Sequence, residues 1–264
     1  MTIAGASYCI FAGEMAKYNH DTIVPYEGSG ENKKKQVASM FDQIAFKYDF
    51  LNRFLSGGID IYWRKLAIRQ LKEIHPKKIL DVATGTADLA ITAHKYLQPE
   101  KIVGIDISEG MLNLGREKIK KLGIEHIIEL QTGDSEAINF PNDTFDAITV
   151  SFGVRNFEDL EKGLSEMYRV LKPGGKLVVL EFSKPKQRWF SGIYNLYMNV
   201  VTPGIGKMVS KNREAYQYLN SSVKAFPEGE TFLHILEKSG FTETTLKRLS
   251  LGICTIYCGR KRTS

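Results

Sequence analysis

Acidic and hydroxyl residues at the ends of apolar runs are where this sequence could do chemistry. Asp81 opens the stretch Asp81-Val82-Ala83-Thr84-Gly85-Thr86-Ala87-Asp88, a run of small residues between a predicted strand and the helix after it. At such a turn, backbone amides and a helix N-terminus face a ligand, and small side chains let it come close. A diphosphate-binding turn carries Gly-x-Gly-x-x-Gly, whereas here Gly85, Ala87 and Ala90 leave less room for a pyrophosphate. The Asp81 carboxylate would repel a diphosphate and attract an ammonium or sulfonium. Asp106 ends the next strand, about 20 residues past the glycine, where a carboxylate can accept both hydroxyls of a ribose. Gly133-Asp134-Ser135 ends a third strand with an acid beside a backbone amide, suited to the amine and ring nitrogen of adenine. Ser151 ends a fourth. The set points to a nucleoside that carries positive charge, S-adenosylmethionine, in preference to a nicotinamide dinucleotide. The plain structural alternatives are a tight turn that binds nothing and, for Asp106, a helix cap, although Ser108 is the better cap candidate.

These groups can act together only if the strand ends share one edge. From Pro76 onward strand-like and helix-like segments alternate, as in a parallel sheet covered on both faces. Predicted strands run Lys78–Val82, Lys101–Ile107, Ile127–Thr132, Phe145–Ser151 and Lys176–Phe182, with helices over Leu89–Leu97, Gly110–Leu122 and Leu160–Leu171 between them. Lys172-Pro173-Gly174-Gly175 stops the last helix. In such a doubly wound sheet a ligand sits outside the carboxyl ends of the strands, where Asp81, Asp106, Asp134 and Ser151 fall. Upstream, Val37, Met40, Phe41, Ile44 and Tyr48 recur at helical spacing, and a second helical stretch from Tyr62 to Leu71 follows Ser56-Gly57-Gly58. Both are expected to be lid helices. Residues 184–212 break the alternation with Trp189, Phe190, Tyr194, Tyr197 and Met198. A helix near Phe232–Ser239 and strands over Thr244–Leu249 and Cys254–Cys258 then close the sheet. The expected organisation is a flexible arm over 1–35 and a single domain over 36–264. That domain comprises lid helices (36–75), a cofactor-binding core (76–183), a lid insertion (184–212) and closing strands (213–264).

Composition narrows the classes. A chain of 264 residues with 43% hydrophobic and 25% charged residues can bury one large core, which argues against wholesale disorder. No apolar run reaches the roughly 20 residues needed to cross a bilayer. Lys17 is the only Lys or Arg among the first thirty residues, the wrong pattern for a mitochondrial presequence, so the expected location is cytoplasmic. Cys9, Cys254 and Cys258 make an odd count and read as reduced thiols. The five histidines are scattered, without metal-ligand spacing, and no metal is expected. The formal charge of +6 comes from dispersed lysines, not from a basic stripe with interleaved aromatics, which argues against a nucleic-acid partner. Tyr168 and Lys172 have the spacing of the catalytic pair of short-chain dehydrogenases, but Lys172 precedes Pro173 at a helix end, so Tyr168 reads as packing.

Longer motifs carry a resemblance. Lys47-Tyr48-Asp49-Phe50-Leu51-Asn52, Ser151-Phe152-Gly153-Val154-Arg155-Asn156-Phe157, Tyr168-Arg169-Val170-Leu171-Lys172-Pro173-Gly174-Gly175 and Leu180-Glu181-Phe182-Ser183-Lys184-Pro185 resemble the menaquinone and ubiquinone biosynthesis C-methyltransferases. Tyr218-Leu219-Asn220-Ser221-Ser222 and Phe226-Pro227 continue the likeness, which spans residues 37 to 261. The resemblance implies a class I methyltransferase fold, Rossmann-like, with a seven-stranded, mostly parallel sheet and helices on both faces. It implies S-adenosylmethionine as cofactor and methylation of a ring carbon on a polyprenylated quinol. It assigns Thr86, Asp106, Asp134, Ser135 and Ser151 to the cofactor, beside the Asp81 and Gly85 of the turn. Ala87 departs from the family's usual Gly; if that position needs a positive φ, alanine strains the loop by roughly 1 kcal/mol.

For the reaction, Tyr48, Arg155 and Asn156 are the residues expected to hold the quinol oxygens. A salt bridge to Glu158 or Asp159 is the structural alternative for Arg155. The aromatic and basic stretch from Lys186 to Arg213 suits either a greasy channel at an anionic membrane surface or a packed lid with solvated lysines. Demethylmenaquinol is the expected acceptor. A ubiquinone precursor or another small molecule is the nearer alternative, and a nicotinamide oxidoreductase the more distant one.

Overall fold

The computed structural model describes residues 18–185 and 213–263. Seven strands form one sheet among the described residues: β1 (Lys78–Val82), β2 (Lys101–Asp106), β3 (Ile128–Thr132), β4 (Phe145–Ser151), β5 (Leu171–Phe182), β6 (Thr242–Leu249) and β7 (Cys254–Arg260). Their order is β3-β2-β1-β4-β5-β7-β6. The first five are parallel, and β7 runs antiparallel between β5 and β6. Ile79, Leu80 and Val82 of β1 are fully buried, as expected of a central strand with both faces covered.

Two apolar layers do the covering. On one face α5 (Leu160–Val170) and α7 (Glu230–Lys238) bury Leu164, Met167, Phe232 and Leu236 against Ile148 and Val179. On the other, α2 (Ile59–Arg69), α3 (Asp88–Leu97) and α4 (Glu109–Leu122) bury Trp63, Ile68, Ala90 and Leu112 against Ile79 and Ile102. Local signals set the helix ends. The Ser108 hydroxyl accepts from the Met111 amide at the start of α4, and Asp159 accepts from the Lys162 amide at the start of α5. The sheet order reverses at β1, which has β2 on one side and β4 on the other, so a crevice opens outside their carboxyl ends. The long helix α1 (Lys33–Ser56) passes over that edge and packs on α4.

Some expectations differ from what is seen. Residues 18–35 were expected as part of an unpacked arm, but they are held to the core. The Tyr18 hydroxyl donates to Glu161 at 2.6 Å, and the Lys33 ammonium donates to the His20 carbonyl at 2.7 Å. A further helix, α6 (Arg213–Ala225), opens the closing segment, ahead of the helix expected near Phe232–Ser239. β5 begins at Leu171, because Lys172-Pro173-Gly174-Gly175 is drawn into the sheet by the Gly174 amide donating to the Lys261 carbonyl. The proposed insertion over 184–212 falls, beyond Pro185, outside the described residues.

His20 is fully buried beside Phe226; its Nε2 lies 3.3 Å from Asp21 Oδ1 without making a hydrogen bond, and Nδ1 finds no hydrogen-bond partner among the described residues. Burial, followed by the nearby Lys33 ammonium, pushes its pKa down from 6.5 to about 3. The folded chain therefore keeps the ring neutral while the unfolded chain takes up a proton below pH 6.5. The stability this provides is complete above 6.5 and drains away as pH falls towards 3. Urea unfolding of His20→Leu at several pH values should show a shallower loss below pH 6.5 with little change at pH 8. An unaltered acid slope would contradict it.

Candidate active site

The loop after β1 is built from left-handed residues and internal hydrogen bonds. Ala83, Gly85 and Ala87 have φ of 52°, 55° and 66°. The Thr84 hydroxyl donates to Asp81 Oδ2 and the Thr149 hydroxyl to Asp81 Oδ1, each at 2.6 Å. Asp81 is thus buried with both oxygens used, and burial raises its pKa to about 6. The sequence reading aimed this carboxylate at a cation; the folded chain turns it inward, where it fixes the loop. Ala87 adopts the conformation that favours glycine, yet its methyl is fully buried. The strain of about 1 kcal/mol and the roughly 0.8 kcal/mol from burying a methyl oppose each other. Ala87→Gly should therefore leave the unfolding free energy within about 1 kcal/mol of wild type; a larger loss in urea titrations would mean that packing governs the position.

Asp106 ends β2 and holds the edge of the loop. Its Oδ2 accepts from the Gly85 amide at 2.8 Å and its Oδ1 from the Ser108 amide at 2.9 Å. Burial raises its pKa to about 6, although these amides favour the ionised form. Asp134 Oδ1 accepts from the Glu136 amide at 2.9 Å, and Asp134 Oδ2 accepts from the Lys34 ammonium at 2.6 Å.

A cavity lies outside these strand ends, beneath α1. Of the residues proposed from sequence, it brings together Tyr48, Gly85, Asp106, Asp134, Ser135, Ser151 and Asn156. Asp81, Thr86 and Arg155 do not line it. Ile107, Met111 and Phe157 give it apolar walls, and Gly153 lets two loops meet, since a Cβ there would stand 2.6 Å from that of Ala83. Its ionisable lining is lopsided: Asp106, Asp134, Glu136 and Glu158 face one cation, Lys34. Sequence reasoning passed over Lys34, which sits in a lysine run without periodicity, and Glu136, whose Oε1 also accepts from the amides of Glu158 and Asp159.

Arg155 is buried below the cavity. Its guanidinium donates to Glu181 Oε1 at 2.9 Å and to the Phe152 carbonyl, and it lies over the Phe182 ring. Neither Glu158 nor Asp159 is its partner; the fully buried Glu181 of β5 is. The same Phe152 carbonyl receives the Asn156 amide, and Asn156 Oδ1 accepts from the Tyr218 hydroxyl at 3.1 Å. Arg155 therefore shapes the turn that presents Asn156, instead of facing the cavity itself.

What the cavity can do follows from its donor set. Carboxylates at adjacent strand ends accept hydrogen bonds from hydroxyls and amines, apolar walls accommodate a flat ring, and excess negative charge favours a cation over a diphosphate.

The chain is matched by the family model described as the ubiE/COQ5 methyltransferase family over residues 29–261. The demethylmenaquinone methyltransferase of Bacteroides fragilis is 50% identical over 244 residues, covering 92% of this chain and 99% of that protein. The ubiquinone/menaquinone biosynthesis C-methyltransferase UbiE of Geobacter sulfurreducens is 45% identical over 230 residues, covering 87% and 90% of the respective chains. Among solved structures, an S-adenosylmethionine-dependent methyltransferase of Thermotoga maritima shares the fold with a TM-score of 0.60 at 18% identity, covering 85% of this chain and 99% of that one.

Proposed function

The chain belongs to the ubiE/COQ5 methyltransferase family, and from that premise we propose that it transfers a methyl group from S-adenosylmethionine to a ring carbon of a polyprenylated quinol, demethylmenaquinol in the first instance. The observation that carries this reading is the acceptor-rich, anionic cavity at the carboxyl edge of β1, β2, β3 and β4. Asp106 suits the ribose hydroxyls, Asp134 and Ser135 the adenine edge, and Gly85 and Ser151 the sides of the same crevice. A nicotinamide dinucleotide would set its diphosphate against those carboxylates, which weighs against the oxidoreductase alternative. The donor, when bound, supplies an electrophilic methyl group on a sulfonium.

The chain's part is to hold the quinol against that group. A ring carbon becomes nucleophilic when the neighbouring hydroxyl gives up its proton, so the reduced ring is the substrate. Tyr48 from α1 and Asn156 from the turn after β4 are the hydrogen-bonding groups proposed to hold its oxygens. Arg155 acts through Asn156, and a guanidinium does not serve as a base. Most of the acceleration should come from alignment and exclusion of water, since no covalent nucleophile is required.

No helix among the described residues is long and apolar enough to cross a membrane. Contact of residues 186–213, with their aromatics and basic side chains, with an anionic bilayer is a further part of the proposal; sedimentation with anionic vesicles at low salt tests it. The reaction itself is tested with methyl-labelled S-adenosylmethionine and two reduced acceptors, a demethylmenaquinol and a ubiquinone precursor. Label should enter the demethylmenaquinol ring and not its oxidised form. Label in neither quinol would overturn the reading.

A further inference from the structure

Thr86 does not line the cavity, but its hydroxyl is fully occupied in a way the donor site does not explain. It donates to Asp49 Oδ1 at 2.6 Å and accepts from the Lys118 ammonium at 2.8 Å, and Lys118 closes the triangle by pairing with the other Asp49 oxygen. The three corners come from three places: Asp49 from α1, Thr86 from the loop after β1, and Lys118 from α4. Lys118 also donates to Asp88 at 2.8 Å, and Asp88 receives Arg53 of α1 at 3.3 Å, so the triangle has a second tie one turn along the same helix.

Its position gives it a consequence. Asp49 directly follows Tyr48, and Thr86 directly follows Gly85; both preceding residues line the cavity. Fixing Asp49 to Thr86 therefore fixes the distance between Tyr48 on the covering helix and Gly85 on the floor. A hydroxyl that donates to one carboxylate oxygen and accepts from the ammonium paired with the other makes a directional joint, which a hydrophobic contact of the same size would not. Asp42 anchors α1 separately at the start of α4, where its Oδ1 accepts from the Ser108 hydroxyl at 2.6 Å and the Gly110 amide at 2.9 Å. Loss of the triangle would thus loosen the Tyr48 end of α1, leaving the longer Arg53–Asp88 pair beyond it, while the helix stays attached further back at Asp42.

We propose that Asp49, Thr86 and Lys118 form a latch that positions Tyr48 over the loop after β1, making all three positioning residues for methyl transfer. The part concerning transfer rests on the quinol reading above; the part concerning α1 does not. The distinction that matters is between aligning the acceptor and binding the donor, since Asp106 and Asp134 lie outside the latch.

The experiment compares wild type with Asp49→Asn, Lys118→Met, the double variant, Thr86→Val and Thr86→Ser. Measured for each are kcat with the quinol, the Kd of S-adenosylhomocysteine, and amide hydrogen exchange of residues 45–53 without any ligand. Asp49→Asn and Lys118→Met should each lower kcat by about tenfold or more, because small misplacements near the reacting atoms are costly. The Kd should stay within about threefold, and the double variant should be little worse than either single one, as residues acting as a unit are non-additive. Thr86→Ser, which keeps the hydroxyl, should restore what Thr86→Val loses. Exchange at 45–53 should quicken in Asp49→Asn and Lys118→Met. Wild-type exchange in both variants overturns the latch, as does a loss confined to donor Kd with kcat unchanged. If wild type itself methylates no quinol, the functional reading fails while the exchange measurement still decides the latch. Should Thr86→Val not fold, the two variants at the half-buried corners, Asp49 and Lys118, carry the test.

Discussion

Replacing Asp106 with alanine should weaken S-adenosylhomocysteine binding by about 100-fold or more, since hydrogen bonds to a charged group contribute roughly 1.5–3 kcal/mol each and a ribose offers two. The loss has a second source in the fold. Asp106 is what the Gly85 and Ser108 amides donate to, so its removal loosens the loop that forms one side of the cavity. A pH profile with Asp106→Asn as control separates this residue from Asp81, whose carboxyl is also raised to about 6. With the carboxyl raised to about 6 in the free protein, the accepting, ionised form is nearly complete a pH unit above that value and declines through it as pH falls. Affinity should therefore fall as pH drops from 6 to 5, by at most about tenfold for one proton. Asp106→Asn should be weaker throughout and flat over the same interval. A wild-type profile that is flat down to pH 5 would remove Asp106 from donor recognition.

Arg155→Ala should cost about 3–5 kcal/mol of stability, the effect expected when one partner of a buried ion pair is deleted and the other is stranded. Glu181 is fully buried, and it would keep two backbone donors, the Phe182 amide on Oε1 and the residue 155 amide on Oε2. Burial already raises the Glu181 carboxyl pKa against the lowering effect of Arg155, so loss of the guanidinium should raise it further. Turnover should fall as well, because the Phe152 carbonyl that also receives Asn156 loses its other donor. Two measurements together decide the role. Urea unfolding should show the large stability loss, and Arg155→Met combined with Glu181→Leu should recover much of it. A stable Arg155→Ala protein without turnover would instead place the guanidinium on the substrate.

How far the sequence reveals this architecture depends on the range of the interaction concerned. β1 and β4 begin and end where their apolar runs do, because a strand buried on both faces has to be continuous. Ser108 caps α4 through a contact three residues away, which local pattern can carry. Asp106, Asp134, Ser135 and Ser151 reach the cavity because parallel strands in register bring their carboxyl ends to one edge. Asp81 was misdirected for a related reason: it precedes the last residue of β1, and its partner Thr149 lies 68 residues away on β4. The Arg155 and Glu181 pairing likewise depends on β4 and β5 being neighbours, whereas sequence proximity favoured Glu158 and Asp159. Helix α6 buries Ala215, Tyr218, Ser222 and Val223, a stripe in which a serine interrupts the apolar signal. Lys34 gave no signal because its worth lies in where the start of α1 lands, over Asp134.

Methyl transfer by this chain requires the cavity at the carboxyl edge to take up an adenosyl group with positive charge. Calorimetric titration of the full chain with S-adenosylhomocysteine, and separately with NADH, tests that most directly. Saturable uptake of the first at one site per chain, with no heat from the second, is the expected result. Uptake of NADH, or no uptake of S-adenosylhomocysteine by folded protein, would contradict it.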